Sequence, residues 1–427
     1  MMHIFSAKSK TKKKKIEPLE DAPILYIPLQ QHIGKAAVPV VEIGETVKRF
    51  QLIGKASDYI SANIHSPVSG TVKDLTWHSL ADGSQVHVVV IENDFKNTEL
   101  EHHDETDLEK LTASEILEMI KNAGIVGEGG AQFPTHVKYD IKDKKIDTFI
   151  VNGTECEPYL TNDYALMNEV SSRLFVGISI INNILKANKI VICIEEQNKE
   201  LIFSFNMLMN KPEYSNIKIK ILPNKYPQGG ELQLIKSVTG KELKKGSLPA
   251  ESGVIVSNVG TIISVYGAVV HGRPLVERVI TVSGDNLQGA GNYIMKIGTP
   301  IKHIADALKV NTNPDTRLVV LGGPMMGKAV TNLMAPVMKG SSGILTFARK
   351  EDKRSNCISC GYCIDVCPMH LIPLKFEELY RKGRYDKLSE YNIVDCIECA
   401  ACEYICPSDV PLIESIKNGK TKIMSSK

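Results

Sequence analysis

Cys357-Ile358-Ser359-Cys360-Gly361-Tyr362-Cys363-Ile364-Asp365-Val366-Cys367-Pro368 is a four-cysteine run, and Cys396-Ile397-Glu398-Cys399-Ala400-Ala401-Cys402-Glu403-Tyr404-Ile405-Cys406-Pro407 repeats its spacing. Three thiolates two residues apart let a turning backbone cup three corners of one iron–sulfur cubane. The fourth cysteine lies a helical turn further on, points the other way and completes the cluster of the other run. Cys357, Cys360, Cys363 and Cys406 are therefore expected around one 4Fe–4S cluster, and Cys396, Cys399, Cys402 and Cys367 around a second. Pro368 and Pro407 lack an N–H and end the local turn, while Gly361, Ala400 and Ala401 leave little bulk near the sulfurs. Structural zinc sites usually pair two C-x-x-C knuckles, which this doubled run is not. Between the runs, Leu374 to Tyr385 has the pattern of a helical connector. Two cubanes imply one-electron transfer without naming donor or acceptor.

The chain outside these runs is of ordinary globular composition. It has 427 residues, 43% hydrophobic and 23% charged, with a formal charge of +2. That balance excludes wholesale disorder and coiled coil and leaves no electrostatic footprint for nucleic acid. No stretch approaches the ~18 to 20 apolar residues needed to span a bilayer. Eight of the ten cysteines crowd into the two runs, unlike a disulfide scaffold; a reducing compartment is expected, with no secretory leader. Cys193, inside a Val/Ile run, reads as core, and Cys156 as a small buried residue.

Working back from the cysteines, five segments are predicted. Residues 1–22 carry Lys8, Lys10, Lys12, Lys13, Lys14 and Lys15, which repel one another, and read as a basic disordered tail. Residues 23–104 show short β runs around Gly-containing turns, the pattern of a biotinyl/lipoyl-like β half-barrel. A carrier of that kind presents a lysine at its hairpin tip; the tip here is Ser66-Pro67-Val68-Ser69-Gly70, so a structural module is expected. Residues 105–250 alternate helical and strand periods: Thr112 can cap a helix with Glu115 three residues on, and Asp147–Val151 and Lys189–Ile194 read as buried strands. Strand, helix, strand implies a parallel sheet with ligands at the carboxyl ends of its strands. Residues 251–344 return to short strands around one helix, Ile301–Leu308, and residues 345–427 hold the cysteine runs. The expected fold class is multidomain α/β.

Within residues 105–250, Gly127-Glu128-Gly129-Gly130-Ala131-Gln132-Phe133-Pro134-Thr135-His136-Val137-Lys138 is rich in glycine, which lets backbone approach a phosphate or flat ring, and successive N–H groups can cradle an anion. Asn152-Gly153-Thr154-Glu155-Cys156-Glu157-Pro158-Tyr159-Leu160-Thr161-Asn162-Asp163 follows a strand ending at Val151, which places Asn152, Glu155, Glu157 and Asp163 where a sheet binds ligands. Tyr226-Pro227-Gln228-Gly229-Gly230-Glu231 and Ser257-Asn258-Val259-Gly260-Thr261 add a glycine pair, a carboxylate and an amide. No Ser–His–Asp set is evident, and His32, His65 and His136 read as structural.

Taken together, these segments resemble the flavin-bearing, NADH-oxidising subunit of complex I and, more closely, the RnfC component of the Rnf electron-transport complex. The resemblance extends through Pro28 to Gly34, Ile64 to Gly70, Gly322 to Gly327 and both cysteine runs. It implies a Rossmann-like FMN- and NADH-binding domain, then a β-grasp soluble-ligand-binding domain, then a helical dicluster ferredoxin domain. It also implies that Gly127, Gly129, Gly130, Lys138, Asn152, Glu155 and Asn258 contact FMN, with Phe133, Glu157 and Glu231 on the nicotinamide side. The implied activity moves electrons between NAD(H), FMN and two 4Fe–4S clusters, with ferredoxin an indirect partner. The implied setting is the cytoplasmic face of the membrane, where the chain would be peripheral to membrane-embedded subunits that couple electron flow to ions. A soluble paralogue serving another acceptor, such as cobalamin reductase or the electron-transfer protein of proline reductase, shares the modules, and a flavin-free cluster relay is a non-enzymatic alternative. Two departures stand out: Gln132 occupies a position where relatives often carry glycine or a small residue, and the lysine run replaces a Gly-Gly-Ile-His-Pro-like segment.

Overall fold

The computed structural model describes every residue except 101–106, 131, 245, 350–353 and 426–427. Strands Ile24–Pro28, Gln85–Asn93, Gly70–Ser79 and Thr46–Val47 form an antiparallel sheet, and Val38–Pro39, Leu52–Lys55 and Ile64–His65 form a second. Alternation drives the pairing: Leu25 and Ile27 point inward beside Ile53, Val72, Val89 and Ile91, and their neighbours point out. Ser66, Val68 and Ser69, in the hairpin tip, are buried, so the tip is part of the core.

Four parallel strands make the central sheet, in the order Ile217–Leu222, Lys189–Glu195, Thr148–Gly153, Val254–Asn258. Apart from edge strand Ile217–Leu222, where Lys218 and Lys220 alternate with isoleucines, its strands are largely apolar on both faces, as expected for a parallel sheet covered on both sides. Phe149, Val151, Ile192 and Ile194 pack against helices Ser171–Leu185 and Val259–His271, while Ile150, Cys193 and Val256 pack against helix Glu231–Thr239. Helix Ala113–Asn122 opens on the expected capping box: Thr112 Oγ1 accepts from the Glu115 amide at 3.3 Å, and a Glu115 carboxylate oxygen accepts from the Thr112 amide at 2.8 Å.

A third, mixed sheet has six strands, with Gly291–Lys296, Glu277–Gly284, Gly343–Ala348 and Arg317–Leu321 in its middle. Helix Ile301–Ala307 buries Ile301, Ile304 and Ala305 on it. At the C-terminus, helices Pro373–Arg381 and Leu412–Ser425 enclose Phe376, Leu379, Leu388 and Ile416.

The expected tail and two of the expected boundaries need correction. Residues 1–22 are not a solvated tail: Lys8 is 4% exposed, Thr11 is fully buried, and Ile16–Pro18 pairs in parallel with Asn292–Ile294 at the edge of the third sheet. Carboxylates and backbone carbonyls receive Lys8, Lys10 and Lys12 one by one, which offsets their mutual repulsion. The 250/251 division cuts the central sheet, since Val254–Asn258 pairs with Thr148–Asn152, and 344/345 falls inside strand Gly343–Ala348. The 104/105 division lies outside the described residues.

Candidate functional site

Each cysteine run is built on one backbone device used twice. Ser359 and Glu398 both have φ of 56°, and Gly361 and Ala400 follow at 82° and 59°. These left-handed residues reverse the chain, so that the one-turn helices Tyr362–Asp365 and Ala401–Tyr404 carry the third cysteine inward. One cavity is lined by Cys357, Cys360, Cys363 and Cys406, the other by Cys367, Cys396, Cys399 and Cys402. Each quartet thus takes three sulfurs from one run and one from the other. Each quartet surrounds a space rather than closing on a single point. The amides of Ser359 and Glu398 donate to the sulfurs of Cys357 and Cys396, both at 3.4 Å, and such N–H groups tune a cluster's potential.

The central sheet reads 3-2-1-4 in chain order, so the direction of winding reverses between Thr148–Gly153 and Val254–Asn258. Ligands bind outside the carboxyl ends of strands at such a point. Asn152 and Asn258 are register partners there. Asn152 donates to the Gly229 carbonyl at 3.0 Å, and Asn258 donates to Asp163 at 2.6 Å. Glu155 accepts from the Asp163 amide at 2.9 Å. Burial pushes the Glu155 and Asp163 carboxyls upward, against the pull of neighbouring cations.

The glycine loop closes over this edge. The Gly127 amide donates to the Phe133 carbonyl at 2.9 Å, and a Cβ on Gly129 would lie 3.2 Å from that of Asn258. Gly130, at φ 104°, borders open space. Gln132 adopts φ 50°, a left-handed conformation that favours glycine. Glu128 turns inward: its amide donates to Thr261 Oγ1 at 2.9 Å, Ser264 donates to its carboxylate, and Arg278 pairs with it at 3.0 Å.

Of the residues expected on the nicotinamide side, Glu231 pairs with Lys138 at 2.9 Å. The Glu157 carboxylate accepts from the amides of Met325 and Met326 at 3.0 and 2.9 Å, and burial pushes it up to about 7. It therefore ties the Gly322–Gly327 loop to the sheet edge. His32 is held by the backbone: its Nε2 accepts from the Ala62 amide at 3.1 Å, which leaves its Nδ1 proton for the Ile33 carbonyl. Cys193 is buried in its strand, and the Cys156 sulfur accepts from the Gly229 amide at 3.4 Å.

Sequence reasoning missed Lys8, Glu128, Glu195 and Tyr226 as individual site residues. Glu195 was within reach, since it ends a strand of the same sheet. Lys8 carried no local signal.

A glycine loop bordering open space, amides at two adjacent strand ends and buried carboxylates suit a flavin nucleotide, and each quartet suits a cubane. Fold and site together define an iron–sulfur flavoprotein. Residues 120–267 match the Nuo51 FMN-binding domain, residues 2–96 the RnfC barrel sandwich hybrid domain, and residues 356–410 the 4Fe–4S dicluster domain. The chain is 41% identical to the C component of the proton-translocating ferredoxin:NAD(+) oxidoreductase complex of Clostridium ljungdahlii, over 89% of this chain and 84% of that one. It is 38% identical to the C component of the Na(+)-translocating ferredoxin:NAD(+) oxidoreductase complex of Acetobacterium woodii, over 95% of this chain and 92% of that one. A solved NAD+-reducing NiFe-hydrogenase shares the fold at a TM-score of 0.53 and 18% identity, over 75% of this chain and 62% of that one. The chain belongs to the RnfC family, the C components of ion-translocating ferredoxin:NAD+ oxidoreductase complexes.

Proposed function

We propose that this chain is the electron-entry subunit of such a complex, moving electrons between NAD(H), FMN and two 4Fe–4S clusters. In this reading the central sheet is a Rossmann-like nucleotide domain reaching to His271, and the third sheet is a β-grasp soluble-ligand-binding domain. When bound, FMN exchanges electron pairs with nicotinamide and single electrons with the clusters. The protein's part is placement. Gly127, Gly129 and Gly130 offer backbone to the flavin nucleotide, Asn152, Asn258 and Glu155 offer polar edges, and Lys138 offers a charge for phosphate. Phe133, Glu157 and Glu231 border the nicotinamide side, with Glu157 also holding the loop at Met325. No protein acid or base is needed for hydride movement.

The observation that carries this reading is a junction. The Tyr226 hydroxyl, buried beside Cys156 and Met325, donates to the Cys399 carbonyl at 2.7 Å. Gln233, two residues past Glu231, donates to the Met369 sulfur at 3.4 Å. The quartet of Cys367, Cys396, Cys399 and Cys402 thus sits against the nucleotide sheet, whereas Cys357 and Cys360 of the other quartet are exposed. The first quartet would hold the entry cluster, nearer the nucleotide sheet, and the second the exit cluster, open to a partner, each supplying one-electron chemistry when bound. Among the described residues no helix is long and apolar enough to cross a membrane, which suits a peripheral position on the cytoplasmic face, beside membrane-embedded subunits and with ferredoxin as indirect partner. The named relatives favour this over a soluble paralogue.

The order is testable by electron paramagnetic resonance after mixing with NADH. Cys363→Ala removes the exit cluster, leaves the other reducible by NADH and preserves NADH oxidation by an artificial acceptor. Cys402→Ser removes the entry cluster and leaves the exit cluster oxidised. Prompt reduction of the exit cluster in Cys402→Ser would contradict the order.

A further inference from the structure

The lysine-rich N-terminal segment lies along the carboxyl edge of the nucleotide sheet. Met2 exchanges backbone hydrogen bonds with Tyr226 at 3.0 and 2.8 Å, and the Ser6 carbonyl accepts from the Tyr159 amide at 2.8 Å. Lys8 then turns inward. Its ammonium donates to the Glu155 carbonyl and lies 3.8 Å from the carboxylates of both Glu155 and Glu195. All three side chains are at most 5% exposed. Further along, the hydroxyls of Thr11 and Thr161 bond at 2.8 Å, and Lys12 pairs with Glu200 at 2.7 Å while lying 4.8 Å from the Tyr164 ring centroid. The strand Ile16–Pro18 fastens the far end to the third sheet.

Two carboxylates buried side by side repel each other and lose hydration; a cation between them offsets the repulsion and part of the lost hydration, and its removal leaves the buried charges uncompensated. Glu155 is also the first link of a chain. Its other oxygen receives the Asp163 amide, Asp163 receives Asn258 at 2.6 Å, and the Asn258 side chain backs Gly129. We infer that Lys8 is a positioning residue of the flavin site, the internal counter-cation that holds Glu155 and Glu195 in place and, through Asp163 and Asn258, sets the glycine loop for the nucleotide. The N-terminal segment is thereby one wall of the site. The inference rests on the flavin reading above.

The test uses the full chain, purified without oxygen, stripped of FMN and titrated with FMN by fluorescence; iron content and thermal melting are recorded beside it. Lys8→Met weakens FMN binding by roughly tenfold to a hundredfold, the scale felt when an outer partner of a binding side chain is lost. Lys8→Arg restores most of it, and Lys13→Met, at an exposed lysine of the same segment, binds as the parent does. Unchanged FMN affinity in a folded Lys8→Met protein overturns the inference. A parent protein that binds no FMN overturns the flavin reading instead. If Lys8→Met does not fold, Lys8→Met/Glu195→Gln, which removes the cation with one of its carboxylates, takes its place. Weakened FMN binding in that folded double variant supports the inference; parental affinity, or a second failure to fold, makes Lys8 a requirement of the fold alone and overturns it.

Discussion

The backbone at Gly361 and Ala400 shows what a single residue contributes. Both occupy left-handed conformations at matching points of the two cysteine runs, but only one is glycine. A side chain there costs roughly 1–2 kcal/mol. Ala400→Gly is therefore expected to raise stability, by about 1 kcal/mol, and Gly361→Ala to lower it by a similar amount, as read from urea unfolding of the cluster-loaded protein. Glu157 illustrates a carboxylate whose two oxygens are both in use. Glu157→Gln keeps one acceptor and turns an NH2 toward a backbone amide, an unmatched donor that costs ~1–3 kcal/mol when buried. The expected result is a lower melting temperature, with the reaction with NADH impaired more than FMN retention; a holoprotein indifferent to the change would remove Glu157 from the site.

At the level of elements, Tyr226 joins the nucleotide sheet to the entry quartet. Tyr226→Phe removes one buried hydrogen bond, worth ~0.5–1.5 kcal/mol, and leaves the Cys399 carbonyl short of a donor. FMN content is expected to stay constant while reduction of the entry cluster by NADH slows; an unchanged rate would show that the contact serves stability alone. Elements differed in how plainly the sequence announced them. The cysteine runs, the Thr112 capping box and the strands at 148 and 189 were legible because spacing, side-chain chemistry and periodicity are local. The partner of a strand is not local. Val254–Asn258 reads as a short apolar run that could join either sheet, and only its register with Thr148–Asn152 assigns it to the nucleotide domain. The lysine run was misread for the same reason. Its composition describes a repelling tail, whereas Glu155, Glu195 and Glu200 that receive Lys8 and Lys12 lie far along the chain. Gly127, Gly129 and Asn258 were legible as candidates, but that they stand at one sheet edge depended on the order of strands.

Across the whole molecule, Lys339 ties the modules together. It is 1% exposed, and its ammonium donates to the carbonyls of Asn63 and Gly124, both at 2.7 Å, while its amide donates to Gln31 at 2.9 Å. Half-barrel, nucleotide sheet and third sheet thus meet on one side chain. Burial pulls it down from 10.5 to about 7, with Glu128 opposing. The folded state then binds fewer protons than the unfolded state between those values, so this group makes stability rise with pH from about 7 towards 10.5. Below pH 7 its full cost is present. Denaturant unfolding across that window should show a rise in the parent that is reduced in Lys339→Met; equal slopes would contradict the assignment.

Electron entry as proposed requires a flavin and two cubanes joined in one chain. The most direct test is anaerobic purification followed by FMN, iron and sulfide analysis, with optical and paramagnetic spectra before and after NADH. Two 4Fe–4S clusters correspond to about eight iron and eight sulfide per chain, expected with one FMN, a flavin band that NADH bleaches and cluster signals that appear in its wake. Iron-loaded protein without flavin, or a flavin bleached by NADH while both clusters stay oxidised, would contradict it.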